Sequence, residues 1–574
     1  MKKSLVLLAL LCTSTAMMAK PAKTVTLRFL ETSDVHGAFF PYNFTERKPM
    51  QGSMARVSSY VKQQRQQYGK NIILLDNGDI LQGQPTSYYS NFVRTDQPNI
   101  AAEVINYLNY DAQTFGNHDV EPGHAVYDKW IKDVKCPMLG ANIIDLKSGK
   151  PYVEPYAMLE RDGVRIAILG MLTPAIPSWL HQNVWSGMRF ENIIPCAQKW
   201  VKVLKEQEKA DVIIAIFHTG WDDGIVTNDY IEDVARECGE QVPELDVVFY
   251  GHDHRARSAT SSKGVLCLDP SNNAQKVAQA TLTLQKDKKG RWQVKDKKGE
   301  LVDVTAEPID EAFMAHFKSR IDDIRQFTEE QIGTFLTTIY SRDAFFGSSA
   351  FIDYIHRMQL EETGADVSLN APLTFNTTIE AGPVYVSDMF KLYRYENHIY
   401  VLRMKGSEIR KHLEMSYNQW TNTMKSPDDH IMLLTEHSYF DKQRMGFKGL
   451  TFNFDSAAGI DYEVDVTKPE GQKVRILQFS DGRLFDENAW YKVVMNSYRG
   501  NGGGELLTLG AGIPADSLAS RIVYQSPRDQ RHYLTEKIRR EKQVNAQPLN
   551  NWHFVPEEWA RPALERDRQI IFGK

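Results

Sequence analysis

The chain is predicted to hold an α/β layered domain over residues 24 to about 260 and a smaller α+β unit from about 331 onward. Three observations predict this. Apolar runs of buried-strand length stand at Leu27 to Leu30, Ile72 to Leu75, Ala112 to Phe115, Val212 to Phe217 and Val247 to Tyr250. Between them, apolar residues recur at helical spacing: Ile100, Val104 and Leu108; Cys196, Trp200 and Val203; Ile231, Val234 and Cys238. Strands alternating with helices pack in layers, and 574 residues exceed what one hydrophobic core supports.

At the start of the chain, Lys2 and Lys3 precede the apolar run Leu5 to Leu11, and small residues follow at Ser14, Thr15, Ala16 and Ala19. This is the layout of a secretory signal peptide, expected over residues 1–19, and it predicts a periplasmic or otherwise secreted protein. A membrane span needs ~20 apolar residues. No run in the sequence reaches that length, so no integral membrane segment is expected once the leader is removed. Cys12 follows Leu11, where a lipoprotein signal requires a small residue.

Loss of Lys2 and Lys3 leaves 66 basic side chains against 73 acidic ones, a net charge of −7. That balance argues against a groove for a nucleic-acid polymer. Cys136, Cys196, Cys238 and Cys267 are too widely spaced for a zinc knuckle and read as buried thiols. The polar stretch Gln285 to Glu300 reads as a hairpin tip at the domain edge. After Pro308, Phe313, Phe317, Ile321 and Ile324 share one face of a connecting helix, and Gly333 opens a new pattern with a helix from Ser348 to Glu361.

The polar residues that follow the strands carry the chemistry. Asp34-Val35-His36, Asp79, Asn117-His118, His218 and His252-Asp253-His254 each follow one apolar run. In an α/β sheet the ligand crevice lies beyond the carboxyl ends of the strands, so these groups can converge although far apart in sequence. Oxygen and imidazole ligands without thiolate suit zinc, manganese, iron or magnesium. A buried aspartate can bridge two ions roughly 3.5–4 Å apart, and Asp79 is the candidate bridge. In Gly116-Asn117-His118-Asp119 the glycine permits a tight turn near the ions, the asparagine offers a neutral carbonyl, and the histidine can stand beside a phosphate. Singly, each triplet or pair is ordinary surface chemistry. Their order, each after a strand, is not.

This ordered set resembles the calcineurin-like metallophosphoesterases. The resemblance implies a four-layer α/β/β/α sandwich with two divalent metal ions, the first on Asp34, His36, Asp79 and His254 and the second on Asp79, Asn117, His218 and His252. It also implies that His118 stabilises the transferring phosphoryl group or protonates the leaving oxygen. Glu121 stands where some relatives have an aspartate that orients this histidine. Two dications would polarise the phosphoryl group and lower the pKa of a bridging water from 15.7 toward ~7.

The second half contains Ser341-Arg342-Asp343-Ala344-Phe345-Phe346-Gly347, Ser387-Asp388-Met389-Phe390, Tyr393-Arg394-Tyr395-Glu396-Asn397, Thr451-Phe452-Asn453-Phe454-Asp455 and the run from Asn496 through Tyr498 to Gly504. These segments resemble the C-terminal domain of the secreted bacterial 5′-nucleotidases, a family that includes the 2′,3′-cyclic-nucleotide 2′-phosphodiesterase/3′-nucleotidases. The resemblance implies a metallophosphoesterase domain over 20–306, a linker helix over 307–332 and a substrate-binding domain over 333–574. It further implies an aromatic base clamp of Phe452 and Tyr498. Stacking of that kind is worth ~1–3 kcal/mol for any base. Periodicity alone would instead place Phe452 in a core strand.

One departure from the family stands out. Asn370-Ala371-Pro372-Leu373-Thr374-Phe375-Asn376 and Phe346-Gly347-Ser348-Ser349-Ala350-Phe351 lack the arginines that grip phosphates in typical 5′-nucleotidases. Without a guanidinium fork, diphosphates and triphosphates should be poorly held. The expected protein is an exported, monomeric dimetal phosphoesterase that hydrolyses nucleotides to nucleosides and phosphate, either of the cyclic-phosphodiesterase/3′-nucleotidase branch or a broad nucleoside monophosphatase. The alternatives are an esterase for UDP-sugars or non-nucleotide esters, and a non-catalytic nucleotide-binding protein.

Overall fold

The structure is a computed structural model. It describes residues 24–439 and 442–573, and the expected leader lies outside the described residues.

Two six-stranded sheets form the first half. One runs in the order Trp292–Asp303, Lys276–Lys286, Thr24–Thr32, Ile72–Asp76, Ala112–Thr114, Met138–Leu139. The other runs Arg257–Thr260, Leu266–Asp269, Val247–Tyr250, Val212–His218, Val164–Leu172, Tyr156–Arg161. The central strands are parallel and buried on both faces, which is why they read as continuous apolar runs rather than alternating ones.

Alternate residues of each strand face opposite layers. Leu27, Phe29, Ile73 and Leu75 meet Ile166, Ile168, Ile214, Ile216 and Phe249 between the sheets. Leu30, Ile72 and Leu74 pack outward against the helices Met54–Tyr68 and Ile100–Leu108. On the far side Leu169, Ile213 and Val248 pack against Ile193–Glu206 and Ala235–Gln241. The layers are therefore helix, sheet, sheet, helix. Burying each such Leu or Ile contributes roughly 1.5–3 kcal/mol, so the sandwich is held by its two sheet faces and not by any one contact.

Register then positions the strand ends. Thr32 lies beside Asp76 in the parallel pair, so the chain leaves the sheet at adjacent points just before Asp34 and Asp79. Phe217 lies beside Tyr250 in the second sheet, which brings His218 and Gly251 out together.

Three expectations need correction. The connector is two helices, Glu311–His316 and Lys318–Thr328, broken at Phe317 (φ −92°, ψ 8°), although Phe313, Phe317, Ile321 and Ile324 do share one buried core. Ile231 is exposed and lies outside the helix that holds Cys238, because Glu232 and Asp233 turn inward to bond His252 and the Gly220 amide. Most of Gln285 to Glu300 is strand: only 287–291 turns, and the charged strand Trp292–Asp303 forms the sheet edge, where lysines discourage edge-to-edge pairing. The four cysteines are free, with Cys196, Cys238 and Cys267 buried.

The second half centres on a five-stranded sheet ordered Ser456–Ala458, Val367–Asn370, Trp490–Asn496, His398–Lys405, Ile522–Asp529. One face packs Leu402, Met404 and Val493 against Ile409, Leu413 and Tyr417 of the helix Gly406–Trp420. The other packs Ile399, Val401 and Val494 against Phe351, Ile355 and Met358 of the helix Ala350–Thr363. The two halves touch where the Tyr88 hydroxyl donates to Asp529 (3.1 Å) and the Arg531 guanidinium lies against both the Tyr88 and Phe390 rings, which themselves meet edge to face. Among the described residues no helix is long and apolar enough to cross a membrane.

Candidate metal centre and adjoining cavities

Both sheets deliver ligands to one edge. Asp34, His36, Asp79, His252 and His254 all have left-handed backbone, with φ of 52°, 48°, 56°, 76° and 58°. Each such residue costs of order 1–3 kcal/mol outside glycine. The turns aim side chains from three loops at one volume. Close backbone approach adds a second constraint: a Cβ at Gly116 would lie 2.0 Å from Asp79 Oδ1, and one at Gly251 would lie 2.4 Å from Asp34 Oδ2.

The seven expected ligands converge in two groups that share Asp79. Candidate ligand atoms of Asp34, His36, Asp79 and His254 lie within 4.8 Å of one another, as do those of Asp79, His218 and His252. His254 Nε2 is 3.1 Å from Asp34 Oδ1, and His36 Nε2 is 4.0 Å from Asp79 Oδ2. His218 Nε2 stands 3.3 Å from Asp79 Oδ2 and 3.1 Å from Asn117 Oδ1.

The donor set fits a pair of cations. His36 Nε2 faces His254 Nε2 at 3.0 Å, and His254 Nε2 in turn stands 3.1 Å from the buried Asp34 Oδ1, a convergence of ligand atoms that a cation would satisfy. Burial pushes the His36 imidazole down to about 4, so it is neutral. Burial opposes charge on Asp34 and Asp79, but the His254 bond and His218 hold the first, and His218 and His118 the second, below the usual carboxylate range. Neutral imidazole and ionised carboxylate are the forms that bind metal; burial lowers His218, but Asp79 beside it outweighs that and raises it to about 10, so this ligand would release a proton on taking an ion.

His118 lies beside this cluster and outside both groups. Its Nδ1 is 2.7 Å from Glu121 Oε2, so the expected partner is in place despite the longer side chain. Burial lowers the imidazole, but Asp79 and Glu121 outweigh it and raise it to about 9.

Two residues that motif reading missed brace the site. Asp119 accepts from the amides of Asp79 (2.7 Å), Ile80 (2.9 Å), Leu81 (2.8 Å) and Gly116 (2.8 Å), tying two ligand loops together. Its position inside Gly116-Asn117-His118-Asp119 was the available signal. Glu232 Oε1 is 2.7 Å from His252 Nε2, which places the proton on Nε2 and leaves Nδ1 for a metal. Nothing in the sequence around Glu232 marks it, since the contact spans a loop.

Two cavities flank the cluster. One, of about 280 Å³, is largely apolar: Trp179, Leu180, Leu373, Phe452 and Tyr498 face Asn117, His118 and His252. Phe452 is half-buried in the 3₁₀ turn Thr451–Asn453, and Phe454 is the core residue of that segment. The Phe452 and Tyr498 rings stand edge to face at 6.1 Å and 84°. A base sandwiched by two stacking contacts of ~3.5 Å needs parallel rings about 7 Å apart, so one ring must turn before both can stack. A Cβ at Gly503 would meet the Tyr498 ring at 2.5 Å, so the glycine run lets the backbone pack against that ring. The second cavity, of about 400 Å³, is polar and lined by His36, His118 and His254 together with Gln84, Thr374 and Arg394. Arg394 thus lines this cavity, although Asn370–Asn376 and Phe346–Phe351 carry no arginine.

A sequence profile of calcineurin-like phosphoesterases matches residues 27–256, and one of the 5′-nucleotidase C-terminal domain matches 325–510. The chain belongs to the calcineurin-like phosphoesterases that carry a 5′-nucleotidase C-terminal domain, and it is a metal-dependent phosphoester hydrolase. It is 25% identical, over 95% of its length and 90% of the relative's, to the 2′,3′-cyclic-nucleotide 2′-phosphodiesterase/3′-nucleotidase of Yersinia enterocolitica. It is 26% identical over 93% of its length to the trifunctional nucleotide phosphoesterase protein YfkN of Bacillus subtilis, of which it spans 39%. A putative 5′-nucleotidase from Staphylococcus aureus superposes with a TM-score of 0.76 at 20% identity, covering 92% of this chain and 100% of the other, a likeness of fold.

Proposed function

We propose that this chain hydrolyses nucleotides to nucleosides and phosphate, with 3′-nucleotides and 2′,3′-cyclic nucleotides as its preferred substrates. The observation that carries the reading is the apolar cavity holding Phe452 and Tyr498, which opens directly onto Asn117, His118 and His252. A base can rest there while its phosphate reaches the ligand cluster. The relatives named as cyclic-nucleotide phosphodiesterase/3′-nucleotidases, matched over nearly the whole chain, support that branch.

Asp34, His36, Asp79 and His254 would hold one dication and Asp79, Asn117, His218 and His252 the other. When bound, the pair supplies neutralisation of the phosphoryl oxygens and an acidified water. His118 keeps its proton because Glu121 binds Nδ1, and Nε2 is then the atom that donates to the leaving oxygen or to the phosphoryl group. Residues 20–306 would form the catalytic unit, 307–332 the connector and 333–574 the substrate-binding unit of an exported monomer.

Turnover of AMP, 3′-AMP, 2′,3′-cyclic AMP and UDP-glucose, measured side by side, tests this. The two adenosine 3′-type esters should be cleaved fastest, chelation should stop turnover, and Mn²⁺ or Zn²⁺ should restore it. UDP-glucose as the fastest substrate, or inactivity on every nucleotide, would overturn the proposal.

A further inference from the structure

The apolar cavity is walled by both halves of the chain. The second half brings Phe452 and Tyr498 to it, and the first half brings Trp179 and Leu180 beside the imidazoles of His118 and His252. Phe452 and Tyr498 meet edge to face at 84°, so a planar group that stacks on one ring meets only the edge of the other. Its second face needs a different partner, and the first half supplies an indole.

Trp179 is placed for that task. It is the last residue of the short helix Ile176–Trp179 and is half-buried, with its side chain on the cavity. The segment around it is pinned. Ile176 is fully buried in the core, the Leu180 amide donates to the Ile176 carbonyl at 3.0 Å, and Trp185 Nε1 donates to the Leu180 carbonyl at 2.9 Å. The indole lies against the His252 imidazole, with ring centres 5.6 Å apart and planes at 46°, and Glu232 fixes that imidazole at 2.7 Å. Two residues further on, the His181 ring meets the Tyr400 ring of the second half at 5.8 Å and 88°. A ring held in place before its ligand arrives loses little freedom on stacking.

We infer that Trp179 is a specificity-determining residue: its indole stacks on the face of the substrate's aromatic limb that Phe452 and Tyr498 leave uncovered, so the seat for that limb is assembled from both halves. The inference rests on the reading of the apolar cavity as the seat of a nucleobase, and adds that the second-half rings do not complete it. Because every base has a π-face, Trp179 selects for an aromatic limb and not among bases.

Calorimetric titration of adenosine into the metal-loaded full chain reads stacking without turnover. Trp179→Leu keeps apolar bulk but removes the π-face, and should weaken adenosine roughly 5- to 150-fold. Trp179→Phe keeps a π-face and should recover most of that loss, which a role in mere packing would not require. The ratio of kcat/KM for 3′-AMP to that for glycerol 2-phosphate should fall with adenosine affinity in Trp179→Leu; a ratio taken within one variant cancels any loss of metal through His252. Absence of adenosine binding in the wild type, equal affinity in wild type and Trp179→Leu, or Trp179→Phe no better than Trp179→Leu would each overturn the inference. If 3′-AMP is not cleaved while adenosine affinity follows the indole, the substrate preference proposed above fails and the role of Trp179 stands. If 3′-AMP is preferred while the variants bind adenosine as the wild type does, the reverse holds.

Discussion

Asp79 presents Oδ1 to the His118 amide at 2.8 Å and Oδ2 toward His218 and His36, so one carboxylate belongs to both ligand groups. Asp79→Asn removes a charge and replaces one bridging oxygen with a donor. Metal content should fall below two ions per chain and activity should fall with it, as elemental analysis and turnover would show together. His118→Asn should leave metal content intact and lower kcat by about 10²–10⁴-fold, the usual contribution of a positioned acid. Full turnover in that variant would remove the role assigned here. Glu232→Gln should weaken the second ion about 10–100-fold, as loss of a ligand's outer partner does. Titration of metal-free protein reads this directly, and unchanged affinity would assign the 2.7 Å contact to loop packing alone.

At the scale of elements, the apolar cavity beside the cluster is held by a buried arginine on a short helix. Ser497–Gly500 carries Tyr498, and Arg499 from the same turn donates to the Phe452 carbonyl (2.8 Å), to Asn453 Oδ1 (3.1 Å) and to Asp455 (2.9 and 3.0 Å). One guanidinium therefore ties together the two segments that bear the rings. Tyr498→Ala should raise KM for 3′-AMP by roughly 5- to 150-fold, the range that ~1–3 kcal/mol of stacking implies, and should affect p-nitrophenyl phosphate less. Equal effects on both substrates would dismiss the base cavity. The strands and most helices were legible because their burial is local and periodic: Ile100, Val104 and Leu108 line one face of Ile100–Leu108 as their spacing requires. The segment at Ile231 was not legible, since its backbone answers to His252 and Gly220, partners that no local pattern encodes.

Across the whole molecule, pH acts through histidines far from the metal cluster. His356 lies fully buried in the second half between Ser368 Oγ (2.7 Å) and Ser456 Oγ (3.2 Å), and burial lowers it from 6.5 to about 3. The folded state thus keeps this imidazole neutral while the unfolded chain takes up a proton below pH 6.5. Its stabilising contribution is complete above pH 6.5 and is lost as pH falls toward 3. At pH 5 the loss should be about 2 kcal/mol, measured as the difference in urea unfolding of the second half between pH 7.5 and 5. His356→Gln should flatten that slope. A slope equal to wild type would place the acid sensitivity elsewhere.

What the sequence determined by itself is the set of chemical parts and their order: apolar runs that must be buried strands, each followed by a ligand-type residue, and an acidic, cysteine-poor chain with no polymer-binding charge. Those features are local, and one residue type at one spacing suffices to reveal them. Only the tertiary structure decided which groups meet. Strand register brings Asp34 beside Asp79 and His218 beside Gly251, Glu232 crosses a loop to orient His252, and Arg394 from the second half lines one cavity with imidazoles of the first. Contacts of that kind depend on distances between segments hundreds of residues apart, and linear spacing carries no measure of them.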